Sequence, residues 1–544
     1  MLKQLKNERG FTLLIFLSLL LMLTMIGIAG VMTSTTDVDI AGNDLKSISA
    51  LYAAEAGLEK AVSEIRTGYT TTGLPPSPLP GCTFNLGNLT VTYNTVDNGP
   101  ATQKQLTTGA YRGLYALVKS FAVTADASHT GSGAATRIVQ EVEDALIPLF
   151  QFAVFYEDDL EIYPGPNMTL GGRVHTNKNM YLGTHATLSI DSYTTAARNI
   201  YYGRKPGSGQ GLGTEGNINI NDRDGVYQNM KNGDETYLDC TDPDWVSESL
   251  ARWGGMVEDQ TYGITELNLP VVTSGDPIDL IKRGADNPSS FEHDAGLKIV
   301  DGLVWHRTGS DTYIDVTASL TGDSTLTTNT FYNGREGKWV TSYDIDIDRL
   351  NDSPYYPLNG IAYASRDQVV GTEQAIRLVN GEELRSALTV ATDNPLYTLG
   401  DYNTDNKKPA ALYTDALTIL SNNWDDSKSN LSLGNRIASN TTVNAAFMTG
   451  NTNSEDSHYS GGLENLPRFL EKWSGKTFTY KGSMVDLWFS EQATGLWSYG
   501  SYYTAPNRNW SFDLNFLDPT NLPPGTPMVN AVQKVSWLQK IVSN

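Results

Sequence analysis

Asp344, Asp346 and Asp348 alternate within Tyr343–Arg349. On a β-strand such a row shares one face, with neighbours about 6–7 Å apart. Like charges that close repel unless water or a hard cation lies between them. The row is therefore a candidate calcium site, and a solvated strand edge is the competing reading. Glu157, Asp158, Asp159 and Glu161 pose the same question. Asp222-Arg223-Asp224-Gly225 is rejected as an EF-hand loop, because Ile220 and Lys231 stand where its first and last acids belong. His175 and His185 could meet, but no pair of histidines has i,i+4 spacing, so zinc is not expected.

Hydrolytic machinery is equally thin. There is no Gly-x-Ser-x-Gly elbow. Polysaccharide hydrolases need paired carboxylates; Asn403-Thr404-Asp405 matches one tripeptide of the polygalacturonase pattern, and Asp425-Asp426 could mimic a second. The Gly-His-Gly and Arg-Ile-Lys elements of that pattern are missing, so no enzyme is expected and no catalytic residue is assigned. Aromatic residues are denser near the carboxy terminus, where Trp473, Trp488, Trp497 and Trp510 stand among several tyrosines. Exposed, they would offer planes to a surface glycan or a protein ligand. Buried, they would pack on Leu466, Phe469 and Leu470 as a cap. Cys82 and Cys240 are the only cysteines. An exported compartment permits a disulfide between them, with two free thiols as the alternative.

The composition narrows the field. The 544 residues carry 39 basic and 61 acidic side chains, a net charge of −22, which argues against nucleic acid as a partner. Fifty glycines and 28 tyrosines with only 18% charged residues favour a β-rich, turn-rich chain. Two cysteines exclude a disulfide-dense scaffold.

The amino terminus is the most informative segment. Lys3, Lys6 and Arg9 form a basic head, and no residue from Gly10 to Thr36 is charged. As helix that stretch spans roughly 40 Å, enough for a hydrocarbon core of about 30 Å. The basic head orients it positive-inside, so the chain that follows is expected to be exported. Beyond Asp37, apolar residues recur at three- and four-residue intervals from Ile40 to Ile65. One long helix is expected, apolar over 11–36 and amphipathic over 37–65.

This combination resembles the type IV prepilins, specifically the minor pilins with a PilX-type N-terminal domain. The matching residues are the basic leader ending at Gly10, Phe11-Thr12-Leu13-Leu14, Ile40-Ala41-Gly42-Asn43, and Ala53-Ala54-Glu55-Ala56-Gly57-Leu58. The resemblance implies removal of residues 1–10 by a prepilin peptidase, an N-methylated Phe11, and packing of the apolar half-helix among other pilins or pseudopilins. It also implies residence in the inner membrane before assembly. One position departs: such pilins usually carry Glu at the fifth mature position, and here that position is Ile15. A subunit without this acid cannot neutralise a neighbour's terminal ammonium, which fits a place at a filament end.

Residues 66–146 are expected to form a pilin-like β unit, with a Pro-rich linker at Thr70–Gly81 and strands at Phe84–Tyr93, Leu114–Ala125 and Thr136–Ala145. The α+β unit would be followed, over 147–544, by a mostly-β domain. Short apolar runs broken by Gly, Asn or Asp, such as Thr187–Ile190 and Leu388–Ala391, favour a parallel β-solenoid, with a β-sandwich as the alternative. No strict period is visible. Residues 203–304 read as an insertion and 463–544 as an aromatic cap.

Overall fold

The computed structural model describes residues 8–72, 75–107, 109–131, 134–211, 213, 215–233, 236–269, 276–284, 290–310 and 312–541. Lys3 and Lys6 of the leader lie outside them. The chain divides into two compact units. One takes residues up to Ala101, Lys119–Asp144 and those from Val532 on; the other takes Thr102–Val118 and Ala145–Ala531.

In the first unit, helix α1 spans Glu8–Thr72, one turn to two turns further than the apolar periodicity alone indicates. Strands β1 (Gly81–Leu86), β2 (Leu89–Asp97), β3 (Thr102–Gln105), β4 (Tyr115–His129) and β5 (Ala135–Pro148) follow, of which β3, the first residues of β4 and the last of β5 are counted with the second unit. The segment expected as one strand, Phe84–Tyr93, is instead a hairpin. Gly87 takes φ +59°, a left-handed conformation that suits a Gly-Asn turn. The sheet order is β1-β2-β4-β5 and then the chain's last strand, Met528–Ile541, with β3 paired to β4. That last strand falls in the segment expected as a cap, yet it pairs with β5 in this sheet.

The amphipathic half of α1 buries Ala53, Ala54, Leu58, Ala61, Val62 and Ile65 on the inward side chains of this sheet, among them Val91, Tyr93, Phe121, Val123 and Ile138. Each large apolar side chain so covered contributes about 1.5–3 kcal/mol. Gly57, unfavourable in a helix by its own propensity, has a packing reason here. A Cβ on it would stand 2.8 Å from Val91 Cγ1 and 3.3 Å from Ala125 Cβ. Tyr93 fixes the register by donating to Glu64 Oε1 at 2.8 Å.

The second unit is mostly β, arranged in several sheets. Strands β6 (Val154–Tyr156), β7 (Leu160–Ile162), β8 (Met168–Leu170), β9 (Val174–Thr176), β10 (Met180–Leu182), β11 (Thr187–Ile190), β12 (Thr194–Ala196), β13 (Ile200–Tyr202) and β14 (Asn217–Asn221) alternate among three sheets. From β6 to β11 each strand pairs in parallel with the third one after it. Val154 aligns with Val174 and then Thr194; Leu160 aligns with Met180 and then Ile200. The step is 20 residues. Leu160, Met180 and Ile200 stack inward with no exposed surface. Beside them runs a ladder of turn side chains: Asn179 N donates to Asp159 Oδ1 at 3.0 Å, and Asn199 N to Asn179 Oδ1 at 3.3 Å.

A second series repeats the arrangement. Ile361–Ser365, Leu388–Ala391, Ala410–Thr414, Ala446–Thr449 and Met484–Asp486 pair in parallel in one sheet. Met484–Asp486 then pairs with β6, so both series share one twelve-stranded sheet. Two expectations are corrected by these pairings. The segment 203–304 is not outside the stack, because β14, Val257–Glu258 and Leu297–Val300 all extend its sheets. Nor is 463–544 a cap: Thr477–Gly482 and Asn507–Phe512 continue one sheet, and Met484–Asp486 lies in the middle of another.

Candidate functional site

Among the described residues, α1 is the one helix long and apolar enough to cross a membrane. Gly10 and Phe11 lie within it, and Phe11, Leu14, Ile15, Leu20, Ile26 and Met32 are all exposed. Hydroxyls in this stretch are satisfied internally. Ser18 Oγ donates to Ile15 O at 2.8 Å, Thr24 Oγ1 to Leu20 O at 2.8 Å and Thr33 Oγ1 to Ala29 O at 2.9 Å. Such back-bonding removes the main cost of placing Ser or Thr in an apolar medium. The helix thus has one half covered by its own sheet and one half bare.

The acidic row at 344–348 does not form. Lys338–Asp346 is a strand, but Asp344 is buried and held by Arg377, whose Nε donates at 3.0 Å. Asp346 ends the strand, caps the short helix Ile347–Asp352 by accepting from Arg349 N at 3.1 Å, and accepts from Asn380 at 2.8 Å. Asp348 falls in that helix and is exposed. Glu157, Asp159 and Glu161 are taken by different partners: Asn177 at 2.7 Å, Lys205 at 3.1 Å and Arg204 at 3.3 Å. Among the described residues no three His, Cys, Asp or Glu side chains are grouped so as to hold a metal ion.

The tryptophans do not form an exposed patch. Trp473, Trp488 and Trp510 are buried, and Trp497 is partly buried against the same core. Trp488 Nε1 donates to Thr414 O at 3.2 Å and Trp497 Nε1 to Tyr503 Oη at 2.8 Å. They pack within the sheets because the stack continues through this segment. Cys82 and Cys240 are both free. Cys82 is exposed on β1; Cys240 is half-buried, and burial pushes its thiol up to about 12.

The residues considered for hydrolysis are not paired. Asn403 is buried and its side chain ties down Lys408 N and two backbone carbonyls, Lys408 O and Asn444 O. Asp425 caps a short helix through Ser427 N at 3.0 Å, whereas Asp426 binds Arg377 at 2.7 Å. His175 is fully buried between Thr195 Oγ1 at 2.8 Å and Asn177 Oδ1 at 3.1 Å, and burial pushes it down to about 4. His185 packs edge-on against Tyr163 instead.

One concavity was not legible in the sequence. It is a groove of about 820 Å³ whose walls include Leu106, Leu114, Phe512 and Leu517. The 20-residue step creates its polar end. Arg173 and Tyr193 immediately precede β9 and β12, so they are one rung apart, and the Arg173 guanidinium lies 3.9 Å from the Tyr193 ring centroid. Arg173 also donates to Ala110 O at 2.9 Å and to Arg112 O. Burial pushes Arg173 down to about 10. Arg112, half-buried, donates through Nε to Tyr193 Oη.

A family model for the PilX N-terminal segment matches residues 9–59. Among solved structures, the competence-associated pilin ComZ from Thermus thermophilus aligns at 10% identity and a TM-score of 0.30, covering 92% of this chain and 98% of that one. No curated protein matches the chain. Residues 9–59, which take in the bare apolar half of α1 and the start of its covered half, are thus a PilX-type N-terminal segment.

Proposed function

We propose that the chain is a minor pilin or pseudopilin that enters a type IV pilus-like or type II secretion-like filament through the apolar half of α1. The observation that carries this reading is the division of one continuous helix. Residues from Ala53 on are covered by the chain's own sheet, while Phe11–Met32 are left bare. A segment whose hydroxyls bond back to its own backbone and whose other large side chains are apolar suits a bilayer first and a bundle of like helices afterwards. Leader cleavage after Gly10 and membrane insertion with the amino terminus inside belong to the same reading.

The second unit is read as a β-solenoid head, on the strength of its parallel pairing in steps of three strands. The part beyond the apolar helix, about 480 residues, corresponds to a radius of gyration of roughly 23 Å if compact. Packed helices lie only about 8–10 Å apart. Heads this broad would collide if every position in a filament carried one, which favours rare or terminal placement. Ile15 in place of an acid points the same way. The role is then structural: priming assembly or presenting the head at a tip.

Shearing filaments from cells and probing them for the chain tests the reading. Recovery with the filaments supports it. Recovery in the membrane fraction alone supports the second reading, an exported adhesin or carbohydrate-binding module that uses α1 only as an anchor.

A further inference from the structure

We propose that the groove beside Arg112 and Tyr193 binds a carboxylate carried on an apolar body, such as a peptide's free carboxyl terminus or a small organic acid. Three observations converge on it. The groove, at about 820 Å³, falls within the usual size of ligand pockets and has an aliphatic and aromatic wall. At its polar end Arg173 is nine-tenths buried and spends its donors on the carbonyls of Ala110 and Arg112. Arg173 therefore acts as a positioning residue. It clamps the segment that carries Arg112 and stacks on the ring that Arg112 contacts.

Arg112 is the group left with capacity. Its Nε is engaged by Tyr193 Oη, but its two terminal nitrogens donate no hydrogen bond to the protein among the described residues. A guanidinium with both terminal nitrogens open presents a fork that fits a carboxylate. Tyr193, whose oxygen already accepts from Arg112, keeps its own proton for the ligand. Two acids temper the charge: Asp191 lines the groove and accepts from Tyr227, and Glu258, outside its lining, interacts electrostatically with both guanidiniums. A single negative charge on an apolar body suits that balance better than a phosphate dianion.

The test uses the full-length protein in lipid nanodiscs, with empty nanodiscs as the blank. Calorimetric titration compares acetyl-Leu-Leu-Phe with a free carboxylate, the same peptide as a carboxamide, 4-phenylbutyrate and 4-phenylbutanol. Binding of the two acids at least about tenfold tighter than their neutral counterparts supports the proposal, with loss of that margin in Arg112→Gln and a smaller loss in Tyr193→Phe. Tighter binding of the peptide acid identifies a chain terminus as the ligand; tighter binding of phenylbutyrate identifies a small acid. Equal binding of acids and neutral analogues overturns the proposal, as does full acid binding by Arg112→Gln with unchanged circular dichroism.

Discussion

Asp344 and Arg377 stand opposite each other on adjacent parallel strands, and the guanidinium takes the carboxylate with both Nε and Nη2. Both side chains are almost fully buried, and the same guanidinium reaches Asp426 at 2.7 and 3.0 Å. The cation that this acidic strand requires is supplied by the next rung of the sheet. Replacing Arg377 by Met leaves Asp344 buried with only the neutral donors Asn329 and Ser342, and the loss of its cation is expected to cost about 3–5 kcal/mol. Denaturant unfolding of the full chain measures this. Calcium is expected to leave the midpoint of the wild-type protein unchanged; a calcium-dependent rise that Asp346→Asn abolishes would restore the metal reading.

The close approach of α1 to its sheet gives a second prediction. Gly57→Val inserts two methyl groups where even a Cβ stands 2.8 Å from Val91 Cγ1. A loss of about 1–3 kcal/mol is expected from overpacking, beyond any change in helix propensity. Hydrogen exchange along residues 53–65 should quicken, while exchange in the second unit stays as it was.

Buried glutamates set a pH dependence. Burial raises Glu157, Glu161, Glu373 and Glu471 from 4.5 to about 7. With the folded value above the unfolded one, the native state binds more protons through this range, so stability rises as pH falls from about 8 to 5. Below the unfolded value the gain is complete. Thermal unfolding of the second unit should show a higher midpoint at pH 5.5 than at pH 8. Glu373→Gln, which keeps the bonding partner for Tyr397 without the charge, should flatten part of that slope.

Thiol labelling separates the two cysteines. Maleimide at neutral pH is expected to modify exposed Cys82 quickly and to leave Cys240 unmodified until the protein is denatured, since its buried thiol stays protonated. A non-reducing gel that shows an intramolecular bridge would contradict this.

Much of the outline is written in local patterns. The apolar run, the change to a three-and-four-residue rhythm after Ile40, and short strands such as Thr187–Ile190 and Leu396–Leu399 are all visible as runs of residue types. The 20-residue step is also present, in Asp159-Leu160, Asn179-Met180 and Asn199-Ile200, but only for three rungs. Afterwards the spacing stretches, from Leu188 to Ile218 and from Ala411 to Ala446, and loops hide the period. Partners across rungs leave no local mark either. Nothing near Asp344 announces Arg377, and nothing near Met528–Ile541 says that its neighbour is β5. The tryptophans show the same limit: residue type marks them as costly to leave exposed, but only the pairing of their strands shows that they are inside.

The mass of the mature protein tests the central claim most directly. Chain purified from the envelope of cells with an active prepilin peptidase should begin at Phe11, with or without one added methyl group, and should fail to enter filaments when the peptidase is absent. A chain that keeps Met1 and still assembles would contradict the account.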